Sequence, residues 1–217
     1  VGGDRDGNPK VTPEVTWWTL LAHKKMVLQH YLHRVRELRR ELTQSTRLVP
    51  ANEELLLSLY EDREQLSLPE HILRRHEREP YALKLCFIEV RLRATLRHLS
   101  ALTDFHAEGP SFVARFPAYQ NSQELLADLL LLQRSLRENR ARALADEGPL
   151  AKVITQCRVF GFHLATLDIR QHSEEHAKVI DEILEVAKVL PGGTRYSDLP
   201  EEEKVRLLTR ELCNPRP

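Results

Sequence analysis

Two polar segments far apart in the chain carry residue types that suit the binding of an anionic molecule. The first segment, residues 1–12, contains a run of glycine and polar residues, namely Gly2, Gly3, Asp4, Arg5, Asp6, Gly7 and Asn8. Its glycines permit unusual backbone angles and expose peptide N–H groups to an anion. An ordinary polar turn is the alternative interpretation, because Asp-Gly and Asn-Pro pairs are common turn signals.

The second segment, residues 160–172, has an apolar first half and a polar second half. The apolar half predicts a buried strand, and the polar half brings Asp168, Arg170 and Gln171 just before a helix start at Ser173. Parallel sheets and α/β barrels place their chemistry at the carboxyl ends of such strands. Arg170 can bind a carboxylate or phosphate, and an ion pair with Asp168 or a helix acid is the alternative. We predict that the two segments form one site.

A possible zinc motif overlaps the end of the second segment. His172, Glu175 and His176 match the H-x-x-E-H pattern of one class of zinc hydrolase. That chemistry needs both histidines one turn apart on the same helix face, with the glutamate as general base. Ser173 is the better helix cap, which would leave His172 outside the helix. A zinc hydrolase therefore remains an alternative function with unfavourable geometry.

Composition excludes several classes of partner. The 32 Lys and Arg residues balance the 32 Asp and Glu residues, so no net charge draws the chain to nucleic acid or anionic lipid. No apolar run approaches the roughly 20 residues of a membrane span. Cys86, Cys157 and Cys213 lie far apart without C-x-x-C spacing, which predicts free thiols in a reducing, cytoplasmic compartment.

Most of the chain between the two segments has helical periodicity. Residues 13–159 form the predicted helical region, in which Pro13 begins a helix of roughly 30 residues. Asn52 and Ser122 cap further helices and Pro80 begins another, and we expect the helix capped by Ser122 to end near Ala145. A short helix then follows Gly148-Pro149 and can end at Gly161. Between the second and third long helices, residues 109–121 predict a loop that aromatic residues could anchor, namely Phe112, Phe116 and Tyr119.

Residues 173–217 predict C-terminal helices. The helix after Ser173 carries apolar residues at helical spacing, which we expect to form its core face, namely Val179, Ile180, Ile183, Ala187 and Leu190. A last helix runs from Pro200 to about Leu212. The predicted fold class is mainly α, with long helices and one or two short strands.

Taken together, the two polar segments resemble two signature segments of bacterial-type phosphoenolpyruvate carboxylase. The resemblance is carried by Gly2-Gly3-Asp4-Arg5-Asp6-Gly7-Asn8-Pro9 with Val11-Thr12, and by Phe160-Gly161 and Leu167-Asp168-Ile169-Arg170-Gln171 with Ser173 and His176. The chain departs from the family at Ala165-Thr166, where relatives often have a larger aliphatic residue and an arginine. It also departs at His172, where they usually have glutamate.

The resemblance implies carboxylation of phosphoenolpyruvate by bicarbonate, giving oxaloacetate and phosphate, with Mg²⁺ or Mn²⁺ as cofactor. This is carbon dioxide fixation that feeds the tricarboxylic acid cycle. It implies substrate binding by Arg170, Arg5, Asp4, Asp6, Asn8 and Gln171, with Asp168, Gly2, Gly3 and Gly7 in support. It also implies that the strand at residues 160–172 belongs to a TIM-type α/β barrel and that the full enzyme is a homotetramer.

We expect the chain to be a piece of a longer enzyme. The family's catalytic histidine, its metal-binding carboxylates and its His-Gly-Arg-Gly-Gly loop have no match in this sequence, so no metal ligand is expected here. The resemblance therefore implies that residues 1–217, as a single segment without the rest of the enzyme, are inactive. A non-catalytic helical module for binding or assembly is a third interpretation.

Overall fold

The computed structural model describes residues 2–48, 50–102 and 116–214. Its described residues form nine α-helices, which are α1 Pro13–Glu41, α2 Glu53–Gln65, α3 Glu70–Arg75, α4 Pro80–Ala101, α5 Ser122–Glu138, α6 Arg142–Asp146, α7 Pro149–Phe160, α8 Ser173–Val186 and α9 Glu201–Leu212. A single 3₁₀ turn lies at Tyr196–Asp198. The prediction of a mainly α chain is confirmed. None of the helices in the described ranges is both long enough and apolar enough to cross a membrane.

The strand predicted from Phe160 is not formed in the described part of the chain. Phe160 is the last residue of α7, and Gly161 ends that helix with a φ of 50°, in the left-handed region that glycine tolerates best. From there to His172, the backbone pairing of strand type is limited to one isolated bridge, at Arg170. A strand needs a ladder of neighbouring backbone groups, and the apolar pattern alone does not supply one.

The chain divides into two compact units, the larger of which comprises Trp17–Thr166. Its core is built from the apolar faces of the long helices. Fully buried leucines on three of them are Leu28 on α1, Leu92 on α4 and Leu125 on α5. Cys86 and Cys157 are buried free thiols. Burial alone raises the pKa of Cys157 to about 11, so this thiol stays protonated and behaves as a small apolar side chain.

A buried ionic network ties three helices of the larger unit together. The Lys84 Nζ atom on α4 lies 2.7 Å from an Asp62 carboxylate oxygen on α2 and 3.0 Å from one of Asp128 on α5. Arg91 on α4 reaches Asp128 at 3.2 Å and Glu124 at 2.9 Å. Only 2% of the Lys84 side chain is exposed, so its charge depends on these carboxylates for compensation.

The predicted loop at residues 109–121 is described only from Phe116 onward, and Phe112 lies outside the described residues. Tyr119 anchors the described part. This residue is 1% exposed, its peptide N–H donates to the Thr95 hydroxyl at 2.9 Å, and its side-chain hydroxyl donates to Asp128 at 2.6 Å. Phe116, in contrast, is 55% exposed and does not anchor the loop.

Helix boundaries followed the sequence signals closely, with three corrections. Asn121, not Ser122, caps α5, because its side-chain oxygen accepts from the peptide N–H groups of Gln123 and Glu124. Likewise, His172 rather than Ser173 caps α8.

The helix expected to reach Ala145 ends at Glu138, and Arg140, with a φ of 62°, separates it from α6. A left-handed residue cannot continue an α-helix.

The smaller unit comprises residues 1–16 and 167–217 and contains α8, the 3₁₀ turn and α9. The core face predicted for α8 is wrong. Val179 is 54% exposed and Ile183 is 59% exposed, whereas Leu184 is the buried residue of that helix. Periodicity identifies the apolar face of a helix but does not show whether another element covers it.

Candidate functional site

Within the smaller unit, the structure brings residues 167–172 of the second segment beside residues 2–12 of the first. The Arg170 peptide N–H donates to the Gly3 carbonyl oxygen at 2.9 Å, and the Arg5 peptide N–H donates to the Arg170 carbonyl oxygen at 2.8 Å. These two bonds form a parallel bridge between Asp4 and Arg170. The backbone of Arg170 is therefore held through both its N–H and its carbonyl group by the glycine-rich segment, although Arg5 and Arg170 are 165 positions apart in sequence (170 − 5).

Close backbone approach explains why residue 3 is a glycine. A Cβ atom added at Gly3 would lie within 3.0 Å of the Asp168 carbonyl oxygen, a separation that real Cβ atoms essentially never show. The Leu167 side chain would lie 3.2 Å from the added Cβ atom. Gly2 and Gly7 serve the segment differently, with φ values of 88° and 65° that favour glycine. The Asp168 side chain is exposed, and its main chain provides the contact with Gly3.

The side chains at the bridge point to two different sides. Partners in a parallel bridge face the same side and their neighbours face the other, which groups Asp4 with Arg170 and separates Arg5 from them. Exposure agrees with this arrangement, because Asp4 and Arg170 are exposed and Arg5 is partly buried. Asp6, farther along the same segment, is also exposed.

Thr16, in the first turns of α1, holds the Arg5 side chain. The Arg5 Nη2 atom donates to the Thr16 hydroxyl at 2.9 Å, and that hydroxyl donates to the Gly2 carbonyl oxygen at 2.6 Å. The pattern of polar residues did not single out Thr16. Its position one helical turn after Thr12, at the start of a helix that follows a polar loop, is the signal that could have found it.

Among the residues that the structure describes, the arginines of the site have no acidic ion-pair partner. Across residues 2–48, 50–102 and 116–214, neither Arg5 nor Arg170 forms an ion pair, so the alternative pairing of Arg170 with Asp168 is not found. A hydrogen bond with Thr12 chiefly lowers the pKa of Glu14, and the positive charge of Arg5 contributes in the same direction. The Arg170 guanidinium is thus exposed on a fixed backbone, an arrangement suited to an anion.

Two of the predicted site residues are used locally in turns. The Asn8 side-chain oxygen accepts from the Lys10 peptide N–H at 3.1 Å. The Gln171 side-chain oxygen accepts from the His172 peptide N–H at 2.9 Å. Such bonds fix the backbone beside the arginines and leave the amide nitrogen of each side chain as a donor.

The geometry around the possible zinc motif reflects helix capping. His172 precedes α8, and its Nδ1 atom accepts from the Glu174 peptide N–H at 3.4 Å. The Lys178 ammonium group donates a hydrogen bond to the Glu175 carboxylate, and this hydrogen bond lowers the pKa of the Glu175 carboxyl group. The residues that the structure describes contain no group of three or more His, Cys, Asp or Glu side chains arranged to hold a metal ion. They therefore do not fit the Mg²⁺ or Mn²⁺ site that the resemblance implies.

Comparison with known proteins shows the family to which the chain belongs. A family model described as phosphoenolpyruvate carboxylase matches residues 1–217. The chain is also similar to phosphoenolpyruvate carboxylases from Synechocystis sp., Rhodothermus marinus and Corynebacterium diphtheriae. Its sequence is 42%, 40% and 36% identical to theirs, in each case over 100% of this chain. The chain spans 21%, 22% and 23% of these relatives, or about a fifth of their length. The chain therefore belongs to the phosphoenolpyruvate carboxylase family.

Proposed function

We propose that this chain is a part of a phosphoenolpyruvate carboxylase and supplies Arg170 as a ligand for the substrate phosphate. The relatives that carry this name are about five times longer, so the activity is assigned to a full-length protein that contains the chain. In that reaction phosphoenolpyruvate and bicarbonate give oxaloacetate and phosphate. The chain's own contribution is to bind and orient an anion.

One observation supports this role most strongly. The main chain of Arg170 is fixed through both its N–H and its carbonyl group, while its exposed guanidinium has no ion-pair partner among the described residues. A guanidinium offers several N–H donors in one plane, which matches the oxygens of a phosphate or carboxylate. A fixed backbone reduces the conformational entropy lost when the anion binds.

The neighbouring residues shape the same pocket in this proposal. Asp4 shares the exposed side of the bridge with Arg170, and Asp6 lies beyond it in the same segment. Asn8 and Gln171 stabilise the turns at either end through the local bonds of their side chains. Gly2, Gly3 and Gly7 allow the tight backbone path, and the Asp168 carbonyl group packs against Gly3.

The remaining parts of the proposal rest on the family. A Mg²⁺ or Mn²⁺ ion would stabilise the negative charge of the enolate formed from phosphoenolpyruvate. Its ligands are assigned to parts of the enzyme outside this chain, because the metal-binding carboxylates of the family have no match in this sequence. Bicarbonate as second substrate, a homotetrameric enzyme and a cytoplasmic location also rest on the resemblance to the family.

The test is Arg170→Ala in the full-length enzyme, assayed for oxaloacetate formation at varied phosphoenolpyruvate. Loss of hydrogen bonds between a charged side chain and phosphate should reduce kcat/KM by about 10- to 150-fold. The melting temperature should stay within about 2 °C, since an exposed side chain contributes little to stability.

The matched control is Arg206→Ala, which removes an exposed arginine of α9 that lies 3.8 Å from Glu202. This variant should keep kcat/KM within about twofold, because exposed ion pairs contribute little. An unchanged kcat/KM for Arg170→Ala, or an equal loss in both variants, would remove Arg170 from the substrate site.

A further inference from the structure

Thr16 connects the glycine-rich segment to α1 through two short hydrogen bonds. We propose that Thr16 is a positioning residue of the substrate pocket, which acts through Arg5 and Gly2 on the backbone that fixes Arg170. This inference rests on the proposed function, because it takes Arg170 as the phosphate ligand. It also gives Arg5 a different role from the one that the sequence predicts, since Arg5 then orients the pocket and does not contact the substrate.

The Thr16 hydroxyl group is committed to the glycine-rich segment. It has one proton, and its two nearest acceptors are the Gly2 carbonyl oxygen at 2.6 Å and the Thr12 carbonyl oxygen at 3.3 Å. The shorter distance assigns the proton to Gly2, although threonines in helices commonly donate to the carbonyl four residues earlier. Thr16 is 5% exposed, so water cannot readily replace this bond.

The Arg5 side chain is directed into the protein. Its Nη2 atom donates to Thr16, and its Nε atom is buried with no hydrogen-bond partner in the described part of the chain. The bridge geometry separates the Arg5 side chain from that of Arg170. A buried nitrogen on the other side of the bridge is poorly placed to meet a substrate that Arg170 binds.

A continuous chain of hydrogen bonds therefore runs from α1 to Arg170. Thr16 holds the Gly2 carbonyl group and the Arg5 guanidinium, the Arg5 peptide N–H holds the Arg170 carbonyl group, and the Gly3 carbonyl group accepts from the Arg170 peptide N–H. Removal of the Thr16 hydroxyl leaves the Gly2 carbonyl group and the Arg5 guanidinium without this hydrogen-bond partner. The segment can then shift, and Arg170 shifts with it.

The experiment uses Thr16→Val in the full-length enzyme, because valine keeps the shape of threonine without its hydroxyl. KM for phosphoenolpyruvate should rise about tenfold, the effect of losing one well-oriented charge-assisted bond, with kcat within about threefold. Thr16→Ser keeps the hydroxyl and should return KM to within about threefold of wild type. Thr209→Val, whose hydroxyl donates only to its own helix at Val205, should leave both parameters unchanged.

A double-variant cycle separates positioning from a merely structural role. Arg5→Ala should raise KM about as much as Thr16→Val, and the double variant should show no further increase, because both changes break the same chain of bonds. A structural role would lower the melting temperature and give independent, multiplying effects. Either independent effects or an unchanged KM in Thr16→Val would overturn the inference.

Two further measurements keep the outcome interpretable. If Thr16→Val is not recovered as folded protein, Thr16→Ala is used instead, because it removes the same hydroxyl with a smaller side chain. It should raise KM for phosphoenolpyruvate about as much. Arg170→Ala is assayed in parallel. A raised KM for Arg170→Ala with an unchanged KM for Thr16→Val refutes only the positioning role, whereas an unchanged KM for Arg170→Ala refutes the proposed function itself.

Discussion

Replacement of Gly3 by alanine should separate the two polar segments and release Arg170. The added methyl group would lie within 3.0 Å of the Asp168 carbonyl oxygen, which belongs to the main chain and cannot move aside by a change of rotamer. The φ angle of Gly3 is not in the left-handed region, so the expected effect comes from the steric clash alone. Residues 167–170 must therefore move away from residues 2–5.

The magnitude follows from the two backbone bonds at risk. These are the bonds between Arg170 and Gly3, at 2.9 Å, and between Arg5 and Arg170, at 2.8 Å. Each backbone hydrogen bond contributes about 0.5–1.5 kcal/mol net, so their loss reduces the local stability of the pairing by about 1–3 kcal/mol. The local opening equilibrium should then increase by about 5- to 150-fold.

Hydrogen exchange followed by mass spectrometry measures this opening directly in the full-length enzyme. Peptides that cover residues 2–6 and 167–171 should exchange faster in Gly3→Ala, and peptides from α4 and α5 should not change. Gly192→Ala is the matched control, because a Cβ atom there meets nothing within 4 Å. Wild-type exchange of both peptides in a folded Gly3→Ala protein would refute the claim that this contact holds the segments together.

Two further predictions concern the rest of the chain. Lys84→Met leaves the partly buried Asp62 carboxylate without an ion-pair partner among the described residues, while Arg91 still pairs with Asp128, and should lower the free energy of urea unfolding of the chain by about 3–5 kcal/mol. Arg134→Met breaks the exposed pair with Glu54 and should cost less than about 1 kcal/mol, so an equal cost would contradict the argument from burial. The isolated chain, assayed with phosphoenolpyruvate, bicarbonate and Mg²⁺, should form no oxaloacetate, and turnover near that of a full-length enzyme would contradict this prediction.

The helical part of the fold was predictable because its signals are local. Asn52 accepts from the Leu55 peptide N–H at the start of α2, Pro80 begins α4, and Gly161 ends α7. Each boundary depends on a few neighbouring residues whose conformational preferences are strong. The strand expected at Phe160 depends instead on partners distant in sequence. Likewise, whether the face of α8 that contains Val179 is buried depends on whether another element packs against it. Neither requirement can be read from periodicity.

The proximity of the two polar segments was predictable from the sequence, but the side-chain connections between them were not. The residue types of Arg5 and Arg170 predicted one anion site, and the bridge between their segments is observed. The sequence offered no means of showing that the Arg5 side chain is bonded to Thr16 on α1 while that of Arg170 is exposed. That distinction depends on which side of a backbone pairing each residue occupies, and a shift of one residue in the pairing would reverse it.

Direct binding of phosphoenolpyruvate, measured by calorimetry in the absence of bicarbonate, tests the central claim without any chemical step. Wild-type full-length enzyme, Arg170→Ala and the control Arg206→Ala are compared at the same Mg²⁺ concentration. The account predicts that Kd increases at least about tenfold in Arg170→Ala and stays within about twofold in Arg206→Ala. An Arg170→Ala enzyme that binds phosphoenolpyruvate with the wild-type Kd would contradict the assignment of this chain to the phosphate-binding part of the pocket.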